Sequence, residues 1–282
     1  MNLSIIIITF NEEANIGRTL ASVQPLIADG MGEIIVVDSG STDRTVEIAK
    51  SSGAKVFVEE WKGYAAQKNS AIDKAMFAWV LSLDADEELS PDLAAHLARA
   101  MRDDRNGPFE WNASPKYAVA YEDLRTDPGP LPRGFWIARR NLFLGRWMRH
   151  GGFYPDRKLR LFARGGFRFD ESRRVHEDIH SDSRAAVLKV GALIHHSYPT
   201  LPDYIDHMNR YSSLGAEMVV AKGKVRFSVI NILIRPLLTF IYNYFFRLGF
   251  LDGREGLLLH TYHAVYVSWK YAKAWELSRT RK

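Results

Sequence analysis

The chain has 282 residues and a formal net charge of +5; 46% of its residues are hydrophobic and 25% are charged. This composition is typical of a globular protein and excludes a disordered or collagen-like chain. Because there is no cysteine, a disulfide framework, a thiol nucleophile and a cysteine-ligated zinc site are excluded. A reducing compartment, the cytoplasm, is the expected location.

The elements predicted in chain order begin with strands and helices in alternation. Strands are predicted over 3–10, 33–38, 54–59 and 78–83, with helices between them that end near residue 26 and span 43–51, 63–75 and 93–101. The alternation indicates βαβ units and a parallel sheet, and so an α/β fold. Ser41 or Thr42 is expected to cap the second helix, and Ser90 with Pro91 to begin the fourth.

The later part of the chain is predicted to change character. Proline and glycine interrupt the pattern in 104–134, short mixed elements follow to about residue 197, and helices are predicted over 201–220, 227–248 and 257–275. We therefore expect an α/β half (1–104), a mixed part of the same domain (105–198) and a helical C-terminal extension (199–282). No run reaches the length of a clear transmembrane helix.

Charge is unevenly distributed along the chain. Acidic residues outnumber basic ones in 1–104, whereas arginine and lysine predominate in 133–174. The basic stretch is either ordinary solvated surface or a site for an anionic partner, such as donor phosphates, a phosphorylated acceptor or a membrane face.

Carboxylates stand at the ends of two predicted strands, where ligands bind in open α/β sheets. Asp84 and Asp86 follow the fourth strand, and strand alternation predicts that both face one side. Two such carboxylates suit Mg²⁺ or Mn²⁺ that also contacts substrate phosphates; the alternative is a solvated helix start, because Glu87 and Glu88 follow. Asp38 ends the second strand and suits a base or ribose hydrogen bond.

Three motifs carry a resemblance to a known family. They are ITFNEE at 8–13, VVDSGSTD at 36–43 and LDADE at 83–87, and together they resemble the family 2 inverting glycosyltransferases. Further stretches at 67–69, 145–162, 175–177 and 249–275 resemble the branch of that family that glucosylates the lipopolysaccharide inner core.

The resemblance implies a fold, a reaction and a set of site residues, with 1–104 as the donor-binding half and 105–198 as the acceptor-binding and catalytic part. The fold would be a Rossmann-like nucleotide-sugar-binding domain of glycosyltransferase A type, with Mg²⁺ or Mn²⁺ as cofactor on Asp86 and Asp84. The enzyme would transfer a sugar, expected to be glucose, from a UDP-sugar to a saccharide or lipid-linked saccharide of the inner core. The implied donor-binding residues are Thr9, Phe10, Glu12, Asp38, Lys68, Asp84, Arg157 and Arg160.

The base that activates the acceptor is expected in a late acidic motif. An inverting displacement needs one carboxylate to take the proton of the acceptor hydroxyl. Glu177 is the favoured candidate and Asp178 its competitor; the other interpretation is a salt-bridged surface turn.

A zinc-dependent hydrolase is the alternative function, because His176, Glu177 and His180 satisfy the H-E-x-x-H pattern. Polar flanks and the missing third ligand motif argue against it. His195 and His196 are expected to be structural rather than metal ligands. A nucleic-acid partner is not expected, because no recognised motif is present.

The stretch 227–250 has two interpretations. It is either a buried helix of a C-terminal bundle or an in-plane helix in peripheral contact with the cytoplasmic face of the inner membrane. A spanning helix is disfavoured by Arg235 and Pro236 at its centre.

Overall fold

The computed structural model describes residues 2–30, 32–103, 121–122, 132–172, 179–180, 183–223 and 225–280. The strands are β1 (Leu3–Thr9), β2 (Gly32–Asp38), β3 (Lys55–Val58), β4 (Trp79–Asp84), β5 (Glu87–Leu89), β6 (Tyr121–Glu122), β7 (Gly134–Phe143), β8 (Arg146–Trp147), β9 (Asp156–Ala163), β10 (Arg168–Phe169), β11 (Ile179–His180), β12 (Ala185–Leu188) and β13 (Leu193–Tyr198). The α-helices are α1 (Ile16–Ile27), α2 (Thr45–Ser51), α3 (Tyr64–Lys74), α4 (Pro91–Asp103), α5 (Leu201–Ala221), α6 (Arg235–Ile241) and α7 (Gly253–Thr280).

The described strands form one large sheet and a separate small pair, β10 with β11. The order in the large sheet is β3-β2-β1-β4-β9-β7-β12-β6, and β13 pairs with β5 and β7. Strands β3, β2, β1 and β4 are mutually parallel, whereas β9 runs antiparallel to β4. The predicted parallel βαβ arrangement of the N-terminal third is therefore confirmed.

Strand β1 lies inside the molecule, and every one of its residues is buried. Ile5 and Ile7 belong to a core that includes apolar residues of α1 and α4, whereas Ile6 and Ile8 belong to a second core that includes residues of α3. Helices thus cover both faces of the sheet, which explains why this strand is a nearly continuous apolar run rather than an alternating one.

Helix α2 begins differently from the expectation. Ser41 does not cap it, because the Ser41 hydroxyl donates to the Asp38 carboxylate and also accepts from the Asn11 amide at 2.8 Å. Asp43 supports the helix start instead, since its Oδ1 accepts from the Thr45 backbone nitrogen at 3.0 Å. Helix α4 does begin at Pro91, and the Ala94 amide donates to the Ser90 carbonyl, as the sequence predicts.

The helical C-terminal region is confirmed, with one irregularity. α6 lies between π-helical turns at Ile230–Ile234 and Tyr242–Phe246. Pro236 has no N–H and therefore donates to no carbonyl of the preceding turn. The Ser268 hydroxyl of α7 donates to the Ile232 carbonyl in that turn at 2.9 Å.

The chain divides into two compact units. The first unit contains residues 1–139 and 157–195, and the second contains 140–156 and 196–282. Among the helices that the structure describes, none combines the length and the apolar character that a bilayer crossing needs.

Candidate functional site

The site is built where the parallel strands of the first unit end. In the β-sheet register, Thr9 lies opposite Asp38, and Ile8 lies opposite Asp84. Three sequence-predicted residues therefore reach the same carboxyl edge of the sheet, because parallel strands present equivalent ends on the same side.

Asp38 shapes the loop that follows β2. Its side chain is fully buried, and Oδ1 accepts from the Gly40 and Ser41 backbone nitrogens at 2.9 and 2.8 Å. Asn11 extends this order, because its Oδ1 accepts from the Thr42 amide at 2.9 Å. The two strand-end loops are thus joined into a single wall of the site.

Asp84 is held by two cations. Lys68 Nζ lies 2.7 Å from Oδ1, and Arg160 Nη2 lies 2.5 Å from Oδ2. Burial acts to raise the pKa of Asp84, but the charges of Arg160 and Lys68 outweigh it and hold that pKa well below its usual value. Both carboxylate oxygens thus have a cationic partner, and a role of Asp84 in metal binding stays a prediction.

Glu87 is a site residue that sequence reasoning missed. The expectation of a solvated helix start is wrong here, because Glu87 is fully buried in β5. Its Oε1 accepts from Arg160 at 2.8 Å and from Arg139 at 3.0 Å. The residues Lys68, Asp84, Arg160, Glu87 and Arg139 thus form one ion network, hereafter the buried ion network. The sequence could have indicated this burial, because Glu87 and Leu89 are two residues apart in a strand and therefore lie on the same face.

Asp86 has a different partner from Asp84. Ala85 and Asp86 form a turn between β4 and β5, and the pairing of β5 with β13 brings His195 beside this turn. His195 Nε2 lies 3.0 Å from Asp86 Oδ2. Burial acts to raise the pKa of Asp86, and the contact with His195 outweighs it and lowers that pKa.

The Asp86 and His195 pair fits a divalent cation by its chemistry. A carboxylate and an imidazole are donors that Mn²⁺ accepts, and Mg²⁺ is usually held by one or two carboxylates together with substrate phosphates. Within the described ranges, no cluster of three or more such protein ligands is found. Substrate phosphates and water are further ligands that such a cation accepts. The contact of His195 with Asp86 agrees with the expected structural role, although His195 lies inside β13 rather than at a strand end.

Glu12 adds negative charge to the same edge. Burial is the main cause of the raised pKa of Glu12, and the nearby carboxylates of Asp86, Asp43 and Asp84 add to it. Asn15 Nδ2 donates to Glu12 Oε2 at 2.8 Å and partly offsets the effect. This carboxylate is therefore held in an environment that favours an added cation.

Two further predicted donor residues lie at the end of β1. Thr9 is buried, and its hydroxyl has no hydrogen-bond partner among the residues that the structure describes. Phe10 is 55% exposed and presents its ring to solvent. An unsatisfied hydroxyl and an exposed ring are both suited to contact a ligand.

The remaining predicted residues are not brought to this edge by the described structure. Arg157 lies in β9 and is exposed; because strand side chains alternate, it points to the opposite face from Arg160, three residues later. Its donor role stays a prediction. Glu177 and Asp178 lie outside the described residues, as does His176 of the hydrolase pattern.

Comparison of the sequence with known proteins identifies the family. Residues 4–109 match the family model "Glycosyl transferase family 2". An uncharacterized glycosyltransferase of Rickettsia typhi is 32% identical over 277 residues, which cover 98% of this chain and 87% of that protein. The chain belongs to glycosyl transferase family 2. The predicted family and the predicted α/β glycosyltransferase fold are thereby confirmed, and this membership favours sugar transfer over zinc-dependent hydrolysis.

Two further proteins are similar to this family 2 member. The lipopolysaccharide core biosynthesis glycosyltransferase LpsC of Rhizobium meliloti is 29% identical over 97% of this chain and 92% of its own length. The solved glucosyl-3-phosphoglycerate synthase of Mycobacterium tuberculosis, in complex with Mn²⁺, UDP and glucosyl-3-phosphoglycerate, is 31% identical over 30% of this chain, with a TM-score of 0.28. That match spans about a third (34%) of the synthase chain.

Proposed function

We propose that this family 2 glycosyltransferase is an inverting, metal-dependent enzyme that transfers a sugar from a UDP-sugar to a saccharide acceptor. The observation that carries the proposal is the Asp86 and His195 pair, 3.0 Å apart, at the carboxyl edge of the sheet. Mg²⁺ or Mn²⁺ held there would neutralise charge on the departing nucleoside diphosphate.

The protein residues around this pair would orient the donor. Asp38 and the loop that it orders, with the hydroxyl of Thr9 and the exposed ring of Phe10, would bind the nucleoside. Glu12 would lie beside the cation, whose positive charge would offset the burial and the nearby carboxylates that raise the pKa of Glu12. Lys68 and Arg160 would act mainly through Asp84, by keeping the strand end and the following turn in a single geometry.

The acceptor hydroxyl would be deprotonated by Glu177, with Asp178 as the competing candidate. A single displacement from an α-linked donor gives a β-linked product, because the acceptor attacks the face opposite the leaving diphosphate. Glucose as the donor sugar rests on the resemblance in sequence.

The proposed acceptor is the lipopolysaccharide core. The support is the similarity to LpsC over nearly the whole length of both proteins. Such an acceptor is a lipid-linked saccharide, so we place the reaction in the cytoplasm at the inner face of the inner membrane.

The donor site can be tested without knowing the acceptor. We would measure the melting temperature with UDP, GDP, ADP or CMP, each with and without Mn²⁺, because a ligand that binds only the native state raises it. The expected result is a shift with UDP that requires Mn²⁺ and is lost in Asp86→Ala and in His195→Ala. Asp73→Asn is the control, because it removes an exposed carboxylate that pairs with Arg168. A shift that is unaffected by both site variants would refute the metal assignment.

The base can be assigned by comparing two isosteric variants. Glu177→Gln should lower turnover by about 100-fold or more while UDP binding is retained, because a general base contributes to the chemical step. If Asp178→Asn has this effect and Glu177→Gln does not, the assignment moves to Asp178.

A further inference from the structure

The second unit exposes a large apolar surface. Within residues 227–251, hereafter the apolar segment, many large side chains face solvent, and Phe246 and Ile230 are 75% and 65% exposed. Single exposed apolar residues are ordinary, but a contiguous patch of this kind marks an interaction site. The alternative of a buried bundle helix is therefore wrong for these side chains.

The exposed side chains lie on one side of the helical segment. Two series of exposed residues recur at intervals of three or four: Ile230, Leu233 and Leu237, and Ile234, Leu238, Tyr242 and Phe246. This spacing forms a stripe along one helical face. The opposite side packs on α7, where Pro236 is buried and the Ile232 carbonyl accepts from the Ser268 hydroxyl at 2.9 Å. The stripe therefore remains exposed although the segment is already packed within its unit.

The charged residues in this part of the chain are all positive. Residues 218–251 contain no aspartate or glutamate, whereas Lys222, Arg226, Arg235 and Arg247 are exposed. Two guanidinium groups lie over aromatic rings, Arg235 over Tyr271 at 5.0 Å and Arg247 over Tyr242 at 5.1 Å. An apolar stripe bordered by cations and tyrosines complements a bilayer surface with anionic headgroups.

We propose that the apolar segment is a membrane-docking surface that lies in the plane of an anionic bilayer, with its stripe among the acyl chains. A second copy of the chain is a poorer occupant, because an isologous contact would bring the same cationic borders together. Spanning is disfavoured because Arg235 and Pro236 lie near the centre of the segment. The proposal does not depend on the sugar-transfer reaction.

Vesicle binding by the full chain tests the surface directly. Co-sedimentation would compare phosphatidylcholine vesicles with vesicles that also contain phosphatidylglycerol, and we expect tighter binding to the latter. The double variant Leu233→Gln/Leu237→Gln should bind about tenfold more weakly, because less apolar surface enters the bilayer. The matched control is Val58→Gln/Met76→Gln, which alters similarly exposed residues of the first unit and should bind like wild type.

The charge contribution has its own test. Arg226→Gln should weaken binding to anionic vesicles by about fivefold and leave binding to neutral vesicles unchanged. Arg44→Gln is the control, since Arg44 is exposed in the first unit and pairs with exposed Glu47 in a surface ion pair. Equal effects of the two variants would contradict a local role for the charge at the stripe.

Depth measurements distinguish docking from spanning. Because the chain contains no cysteine, a fluorophore can be attached to a single introduced thiol at Leu233→Cys, Phe246→Cys or, as a control, Met76→Cys. An in-plane segment predicts similar shallow quenching by spin-labelled lipids at the first two positions and none at the third. Clearly different depths at the first two positions would refute the in-plane geometry.

Two outcomes would overturn the membrane assignment. One is failure of the wild type to bind either vesicle. The other is sedimentation as a dimer that Leu233→Gln/Leu237→Gln converts to a monomer without a change in vesicle binding, which would identify a second copy as the occupant. Loss of UDP binding with vesicle binding intact would count against the proposed function alone.

Discussion

Charged side chains lie in the interior of the first unit, whereas large apolar side chains lie on the surface of the second. In the first unit, Glu87 and Arg160 are buried and paired within the buried ion network. In the second unit, the apolar segment leaves Ile230 and Phe246 largely exposed. Both arrangements run against the usual distribution of polar and apolar groups.

The two regions differ in how the unfavourable placement of these side chains is compensated. Buried charges are tolerated because each has an opposite charge or a hydrogen-bond donor within contact distance. Exposed apolar groups gain nothing comparable from water. The ion network is therefore satisfied within the protein, whereas the apolar segment is suited to a partner outside it.

The largest expected effect is on catalysis in the first unit. Asp86→Ala should lower sugar-transfer turnover by about a thousandfold, because it removes the carboxylate proposed to hold the metal. The rate would be measured with UDP-glucose and excess Mn²⁺, with Asp73→Asn as the control. Turnover within a few fold of wild type would show that the pair with His195 is structural.

The next effect is on the stability of the buried ion network. Arg160→Met should lower the free energy of unfolding by about 3–5 kcal/mol near neutral pH, because it leaves buried carboxylates without a cation. Arg168→Met, in an exposed pair with Asp73, should cost less than about 1 kcal/mol. Urea denaturation of both variants gives the comparison, and equal losses would contradict the distinction between buried and exposed pairs.

The pH dependence of that loss follows from Asp84. Its pKa is lowered in the folded state, so its contribution to stability is present above the unfolded pKa of about 3.9 and is lost as the pH falls through the folded value. The difference between wild type and Arg160→Met should therefore shrink in strong acid. A difference that is constant with pH would exclude Asp84 as its source.

A smaller effect of opposite sign is expected at Glu12. Its pKa is raised above 4.5, so its ionisation destabilises the fold as the pH rises through and above that value. Glu12→Gln should raise the free energy of unfolding near neutral pH and change it little near pH 4. UDP binding with Mn²⁺ should weaken in the same variant. Destabilisation at neutral pH would show that Glu12 is favourably ionised.

The smallest effect is expected in the apolar segment. Leu237→Ala should change the free energy of unfolding by less than about 0.5 kcal/mol, because its side chain is already exposed. The same substitution at Leu259, buried in the core of the second unit, should cost about 2–5 kcal/mol. Thermal denaturation without lipid measures both, and a large loss at Leu237 would mean that the segment is covered by protein in solution.

Local pattern was sufficient for much of the first unit. The β-branched run of β1 and the strand-helix alternation predicted a parallel sheet, and the positions of Asp38 and Asp84 at strand ends placed them at one edge, where the structure has them. These features depend on hydrophobic periodicity and on the common direction of parallel strands, which neighbouring residues encode.

Pairing between distant residues could not be predicted in this way. Strand alternation implied a shared environment for Asp84 and Asp86, but the turn at 85–86 gives them separate partners, Arg160 and His195. Those partners come from β9 and β13, far along the chain, and only the packing of these strands brings them to the site.

The sequence by itself determined the α/β class, the helical C-terminal region, the family motifs and the 3–4 periodicity of the apolar segment. Only the tertiary structure decided that Glu87 is buried, that His195 faces Asp86 and that the apolar stripe is exposed. The physical reason is that periodicity shows which residues share a face, whereas contacts between distant elements decide what that face meets.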